Sequence, residues 1–311
     1  MLFDVNTHTP SAVGNIDLLK IFMKIITNVK TLRSHINQAK LERSSKQSVG
    51  FVPTMGALHE GHAALLKHSK KENDLTVLSI FVNPTQFGPK EDYRAYPRTR
   101  AKNVLLAKKL NVDIIFYPSI EEMYPSRHLT SINLEKVTEN LCGRFRPGHF
   151  RGVATVVAKL LNIVQPDNLY LGQKDAQQCV VIQQMVCDLN FSTIVKIIPT
   201  VRELNGEAKG LALSSRNQYL TPKEHKEAAA LYQSLRLAKQ KIQQGTRKAS
   251  EIIQLIKSYI KQKTSGKIQY VECVDADLLQ PLKTLKGRIL IALAVWFQGA
   301  RLIDNITVNI K

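Results

Sequence analysis

Two histidines stand three positions apart in the stretch FVPTMGALHEGHAALL, residues 51–66, between an apolar run of strand length and one with helical spacing. A reverse turn calls for residues such as Pro53, Gly56 and Gly61, but it has no need of paired imidazoles. At a helix start, residues three apart share a face, so His59 and His62 can point the same way. Two imidazole N–H donors beside the positive end of a helix dipole suit charge that develops on a phosphate during nucleotidyl transfer. The stretch is neither G-x-G-x-x-G nor G-x-x-x-x-G-K-[ST], and H-E-x-H is one residue short of the H-E-x-x-H zinc helix. What remains is H-x-G-H, with Gly61 leaving room for a nucleotide to approach the backbone; a structural histidine pair is the alternative.

Three further stretches carry compatible groups. In LYLGQKDAQQ, residues 169–178, Gly172 ends an expected strand; Lys174 then offers a point charge to phosphate and Asp175 a carboxylate to Mg²⁺. In GLALSSRNQYL, residues 210–220, Ser214, Ser215 and Arg216 are compact donors suited to a triphosphate or pyrophosphate. In FVNPTQFGPKEDY, residues 81–93, Asn83 and Gln86 are neutral amides able to hydrogen-bond a small polar substrate. Read alone, G-x-K-D is more often a polar turn, and the serine-arginine stretch is equally compatible with a turn or a helix cap.

The elements that must position these groups alternate. SVGFVPT, LTVLSIFVN, VDIIFYPS, DNLYLG and TIVKIIPTV read as strands, separated by helical patterns such as GHAALLKHSKKE and GVATVVAKLLNIV. Strands apolar on both faces and separated by helices predict a doubly wound, Rossmann-like parallel sheet, an α/β plan whose ligands lie at the carboxyl ends of the strands. After Pro199 the pattern changes to a turn-rich segment, two long basic helices and three hairpin-like strands, which predicts a smaller α+β domain. The expected division is an extension over residues 1–22, a large domain over 23–198 and a C-terminal domain over 199–311.

Bulk properties narrow the classes. The chain of 311 residues is 44% hydrophobic, with no apolar run near the ~18 residues of a membrane span. Four scattered cysteines without a C-x-x-C pair argue against a zinc ribbon or disulfide framework and for a cytoplasmic setting. Much of the excess in the formal charge of +19 sits between Lys223 and Lys267, where eleven Lys or Arg face three acids on helical sequence. With no aromatic or glycine-rich recognition motif beside it, this reads as a solvated basic face rather than a nucleic-acid footprint. A nucleic-acid-binding protein, or an aminoacyl-tRNA synthetase using the same histidines, stays open as a rival.

Taken together, VPTMGALHEGH, SIFVNPTQF, YPRT, RPGHFRGVATVVAKL, GQKDAQQ, LALSSRNQYL and the closing RLIDN resemble the pantoate-β-alanine ligase family, within the H-x-G-H nucleotidyltransferases. The resemblance implies ATP-dependent condensation of pantoate with β-alanine through a pantoyl adenylate, with Mg²⁺, in a cytoplasmic homodimer whose small domain is a lid. It also implies an ATP site made of Met55, Gly56, Ala57, Leu58, His59, Glu60, Gly61 and His62, with Gly172, Gln173, Lys174, Asp175, Val201, Leu213, Ser214, Ser215 and Arg216. Among these, His59, His62, Lys174, Ser214, Ser215 and Arg216 would be catalytic, with His62 the acid. Gln86, Gln178 and Asn83 would hold pantoate and β-alanine, and Asp175 would be the metal contact. The chain departs from the family pattern in a longer segment at 203–209 and in Arg100, Ala101, Lys102 and Asn103, where acids are usual. If the positive charge steers anionic substrates, kcat/KM for pantoate should decline in steady-state assays as salt shortens the Debye length from about 30 Å to about 8 Å.

Overall fold

The computed structural model describes residues 23–41, 47–89 and 91–310; the expected extension over 1–22 lies outside them. The large domain runs through β1 (Lys24–Ile26), α1 (Val29–Leu41), β2 (Val49–Thr54), α2 (Glu60–Glu72), β3 (Leu75–Ile80), α3 (Arg100–Lys109) and β4 (Ile114–Phe116). Two single helical turns, α4 (Ile120–Met123) and α5 (Cys142–Phe145), lead to α6 (His149–Val164), β5 (Asn168–Gly172), α7 (Ala176–Asp188) and β6 (Ile194–Ile198). Every residue of β3 and β4 is buried, as expected of strands covered on both faces. Among the described residues the strands form one six-stranded sheet, ordered β1-β4-β3-β2-β5-β6, with every pairing parallel. The chain therefore leaves β2 toward β3 and β4, then returns to lay β5 and β6 on its other side. That reversal opens a crevice beyond the carboxyl ends of β2 and β5.

Helix α6 closes one wall of the crevice. Its Gly152 lies so close to the turn Pro84–Gln86 that a Cβ there would meet Thr85 O at 2.3 Å and Gln86 N at 2.7 Å. Only hydrogen at that position lets the helix lie against the backbone that carries Gln86. The rest of α6 is strongly apolar; Val153, Val157, Leu161 and Val164 join the main core with Phe51, Val77 and Leu169.

After Ile198 an irregular segment, bridged antiparallel at Arg202 and Ala212, leads into α8 (Pro222–Gln243) and α9 (Ala249–Lys263). Thr221 and Glu224 form a reciprocal capping box that starts α8, with Pro222 at its first position. Strands β7 (Lys267–Asp275), β8 (Gly287–Trp296) and β9 (Arg301–Ile310) form an antiparallel sheet in that order. One face of this sheet packs on α8 and α9, with Val271, Ile291 and Leu293 against Leu235, Ile252 and Ile256. The other face contributes Tyr270, Val274, Ala292 and Ala294 to the core of the large domain. The small domain is thus seated on the large one by apolar burial.

The longer segment at 203–209 folds as a loop closed by Gly210 N donating to Glu203 O, and the His225 Nε2–Glu203 contact at 2.9 Å and the ion pair Lys226–Glu207 hold it against α8. None of its residues reaches the crevice. Substituting Gly152→Ala should lower the thermal or urea midpoint by an amount equivalent to about 1–3 kcal/mol, the usual cost of overpacking against rigid backbone. An unchanged midpoint would show that α6 can move away from the 84–86 turn.

Candidate active site

The crevice contains a cavity of about 230 Å³ lined from both domains. It continues into a larger cleft of about 880 Å³ between them, sharing Arg146, His149, Lys174, Asp175, Gln178, Ser214 and Arg216. Of the residues expected from the sequence, Met55, His59, Gly61, His62, Asn83 and Gln86 line the smaller cavity from the β2 and β3 ends. Gly172, Lys174, Asp175 and Gln178 line it from the β5 end; Val201, Leu213, Ser214, Ser215 and Arg216 come from the segment that enters the small domain.

The paired histidines cap their own helix. His59 Nδ1 accepts from Gly61 N at 3.1 Å, and His62 Nδ1 accepts from His59 N at 3.3 Å. An imidazole nitrogen that accepts an N–H carries no proton, so both rings hold theirs on Nε2. The ring centroids are 4.1 Å apart. The backbone N–H groups expected to face a phosphate are therefore occupied by the rings, which pass the helix's positive end on to their Nε2–H donors. Gly61 has a further reason beside the one expected: a Cβ there would meet His59 Cε1 at 2.7 Å, so its lack of a side chain makes room for the cap.

Both rings are neutral near pH 7. Burial, reinforced by the nearby Lys174 charge and opposed by Asp175, pushes His59 down to about 4. Burial, then His59 and Lys174, hold His62 well below its ordinary value. His62 is thus held as a neutral imidazole with its N–H on Nε2. Lys174 is the point charge beside the pair, with its Nζ 3.6 Å from the half-exposed Asp175 carboxylate. Across the cavity Ser214 accepts from Arg216 N at 3.2 Å and starts the helical turn Ser215–Tyr219, while Arg216 pairs with Asp92 at 3.1 Å.

Five expected ATP contacts do not line this cavity: Gly56, Ala57, Leu58, Glu60 and Gln173. Glu60 is exposed, and Leu58 N donates to Asn103 Oδ1 at 3.0 Å. Gly56 (φ 90°) and Ala57 (φ 48°) make the left-handed turn that brings the chain round to His59. Gln173 commits its amide to Asn305 Oδ1, at 3.2 Å. Asn83 reaches the cavity with no spare donor. Its Nδ2 gives to Gln86 Oε1 and Gly152 O, and its Oδ1 accepts from Thr85 and Tyr124, so it orients Gln86 rather than offering a donor to substrate. Asn103, in the helix where acids were expected, is buried and braces the loop before His59.

Sequence reasoning passed over Arg146, His149 and the α6 wall of Val153, Val156, Val157 and Leu160, all of which line the cavity. Gly148-His149 at the start of α6 repeats the glycine-histidine pattern of Gly61-His62 and was the available signal. His149 Nδ1–H donates to Gln86 O at 2.8 Å, leaving Nε2 to accept from Arg146 Nη1 at 3.0 Å; Arg146 in turn pairs with Glu91. Burial and the Arg146 charge push His149 down to about 4. Among the described residues no group of three or more His, Cys, Asp or Glu could hold a metal ion.

The sequence pattern of the pantoate-beta-alanine ligase family matches residues 24–307. The chain belongs to that family. It is 50% identical over 289 residues to the pantothenate synthetase of Bacillus cytotoxicus, covering 93% of this chain and all of the relative. It is 52% identical over 272 residues to that of Caldicellulosiruptor bescii, covering 88% of this chain and 95% of the relative. The crystal structure of the Thermus thermophilus pantothenate synthetase superposes with a TM-score of 0.83 at 42% identity, over 91% of this chain and 99% of that one. The ligase of Francisella tularensis, complexed with beta-gamma ATP and beta-alanine, superposes with a TM-score of 0.73 at 38% identity, over 92% and 97% of the two chains.

In this ligase the neutral histidines carry a pH signature. His59 and His149 fall from 6.5 to about 4 on folding, so between those values the unfolded chain binds more protons than the folded one. Their contribution to stability is complete above about 6.5 and is lost as pH falls toward about 4. Urea midpoints measured without substrate should fall over that window, and His149→Asn should flatten the slope.

Proposed function

We infer that this protein condenses pantoate with β-alanine at the expense of ATP, giving pantothenate, AMP and pyrophosphate. The observation that carries the reading is the convergence, on one cavity at the strand-order reversal, of the histidine pair, Lys174, Ser214 to Arg216, and the amides of Gln86 and Gln178. An unactivated carboxylate is a poor acyl donor. Its oxygen attacks the α-phosphorus, the bond to the pyrophosphate oxygen breaks, and the resulting acyl phosphate has AMP as a leaving group for the β-alanine amine.

Each cavity group fits a step. With Nδ1 of each ring occupied by the helix cap, the Nε2–H donors of His59 and His62 would meet the oxygens of the reacting phosphate as neutral donors. Lys174, Ser214, Ser215 and Arg216 suit the β- and γ-phosphates that leave as pyrophosphate. Gln86 and Gln178 would orient pantoate, whose two methyl groups suit the apolar wall of Val153, Val156, Val157 and Leu160. Mg²⁺ bound with the nucleotide would neutralise phosphate charge; a single half-exposed carboxylate, Asp175, fits an ion held mostly by phosphates and water.

Residues 23–198 are read as the ATP- and pantoate-binding domain and 199–311 as a lid that shields the adenylate from water. A homodimer in the cytoplasm follows from the resemblance, and the unpaired state of all four cysteines agrees with a reducing setting. Among the described residues no helix is long and apolar enough to cross a membrane.

The test is release of AMP and pyrophosphate by purified protein given Mg-ATP, D-pantoate and β-alanine, with each omitted in turn. Release that requires pantoate, with pantothenate formed only when β-alanine is present, is the expected result. Pyrophosphate exchange with another carboxylate instead would discard the substrate and keep the adenylating site. His62→Ala should lower turnover at least ~10²-fold with the fold intact by circular dichroism, as loss of a charge-stabilising donor does.

A further inference from the structure

Both phosphate-facing loops are held by two adjacent residues of the small domain. Asp304 and Asn305 lie on β9, opposite Leu293 and Ala292 of β8, and both are buried. Asn305 Nδ2 donates to Gln173 O at 3.0 Å and to Lys174 O at 2.9 Å, while its Oδ1 accepts from Gln173 Nε2 at 3.2 Å. One side chain therefore fixes the turn that presents Lys174, from more than a hundred residues away in sequence.

Its neighbour grips the other loop. Asp304 takes both ends of the Arg202 guanidinium, at 2.6 Å and 2.8 Å, and accepts from Asn305 N at 2.7 Å. Arg202 also donates to Gly210 O at 3.0 Å and stacks over Tyr232 with its guanidinium carbon 3.7 Å from the ring centroid. The ladder so anchored continues through Leu213 N to Val201 O at 3.0 Å and delivers Ser214, Ser215 and Arg216 to the cavity. A bidentate buried pair has little positional freedom, and the same holds for a primary amide with both N–H groups committed.

We propose that Asp304 and Asn305 are a positioning pair, one residue for each phosphate-facing loop, that sets the separation of Lys174 from Ser214–Arg216 across the cavity. Both line the larger cleft, but their polar atoms are committed to protein partners, so they act through those loops. The pair rests on the nucleotide reading of the cavity, and it predicts a selective effect. Slackening it misplaces the groups assigned to the triphosphate, whereas Gln86 stays braced by Asn83, His149 and α6.

The test is Asn305→Ala in the full-length protein, read by calorimetric titration with Mg-ATP, steady-state KM values and thermal midpoint. The Kd for Mg-ATP should weaken at least about fivefold while KM for pantoate stays within about twofold, the split expected of lost phosphate positioning. A folded variant that binds Mg-ATP as tightly as wild type overturns the positioning role and leaves the nucleotide reading standing. Equal weakening for ATP and pantoate overturns it as well, because that is general loosening. Wild type that binds no Mg-ATP removes the nucleotide reading and the pair with it. Should Asn305→Ala not fold, Asp304→Asn, which keeps the shape and gives up the charge, carries the same measurement and the same outcomes for the Ser214 loop.

Discussion

The reversal of strand order between β2 and β5 is the constraint from which the cavity follows. Two parallel strands can lie side by side with their connections running to opposite ends of the sheet only if the loops after them diverge, and the space between the loops is then open. The H-x-G-H turn after β2 and the Lys174 turn after β5 are the two lips of that space. Every other cavity group is brought to those lips by packing: Gln86 by α6, and the Ser214 loop by the small domain.

Charge in the cavity is restrained. The histidines are kept neutral by burial and by Lys174, and their rings draw polarity from the first turn of α2. The cations that remain are partly balanced, Lys174 by Asp175, Arg216 by Asp92 and Arg146 by Glu91. Such a site offers directed N–H groups in place of a diffuse positive field, which is what stabilising charge at one developing position requires. Much of the basic excess lies elsewhere, on the outer faces of α8 and α9, where Arg236, Lys241, Lys261 and Lys263 are exposed while Leu235, Ile252 and Ile256 face the sheet.

The two domains are joined in two physically different ways. Apolar burial of one face of the β7-β8-β9 sheet seats the small domain, and this contact has little directionality. The hydrogen bonds of Asp304 and Asn305 add directionality where the Lys174 turn and the Ser214 loop face each other, and Arg216–Asp92 and Arg144–Glu272 add it elsewhere along the contact.

Much of this was already determined by the amino-acid sequence. Apolar runs alternating with helical patterns specify the doubly wound sheet, because a strand buried on both faces has no solvated side for polar positions; the change of pattern after Pro199 specifies the second, smaller architecture. The spacing of His59 and His62 at a helix start was legible for the same local reason, as were Lys174 and the Ser214 loop. Which nitrogen of each histidine carries the proton, and that both rings are neutral, was decided by burial and by partners on the backbone. The saturation of Asn83 and the grip of Asn305 on Lys174 are contacts between residues remote in sequence or set by helix packing. Local periodicity reports which face of an element is buried; only the assembled layers decide what each buried polar group finds there.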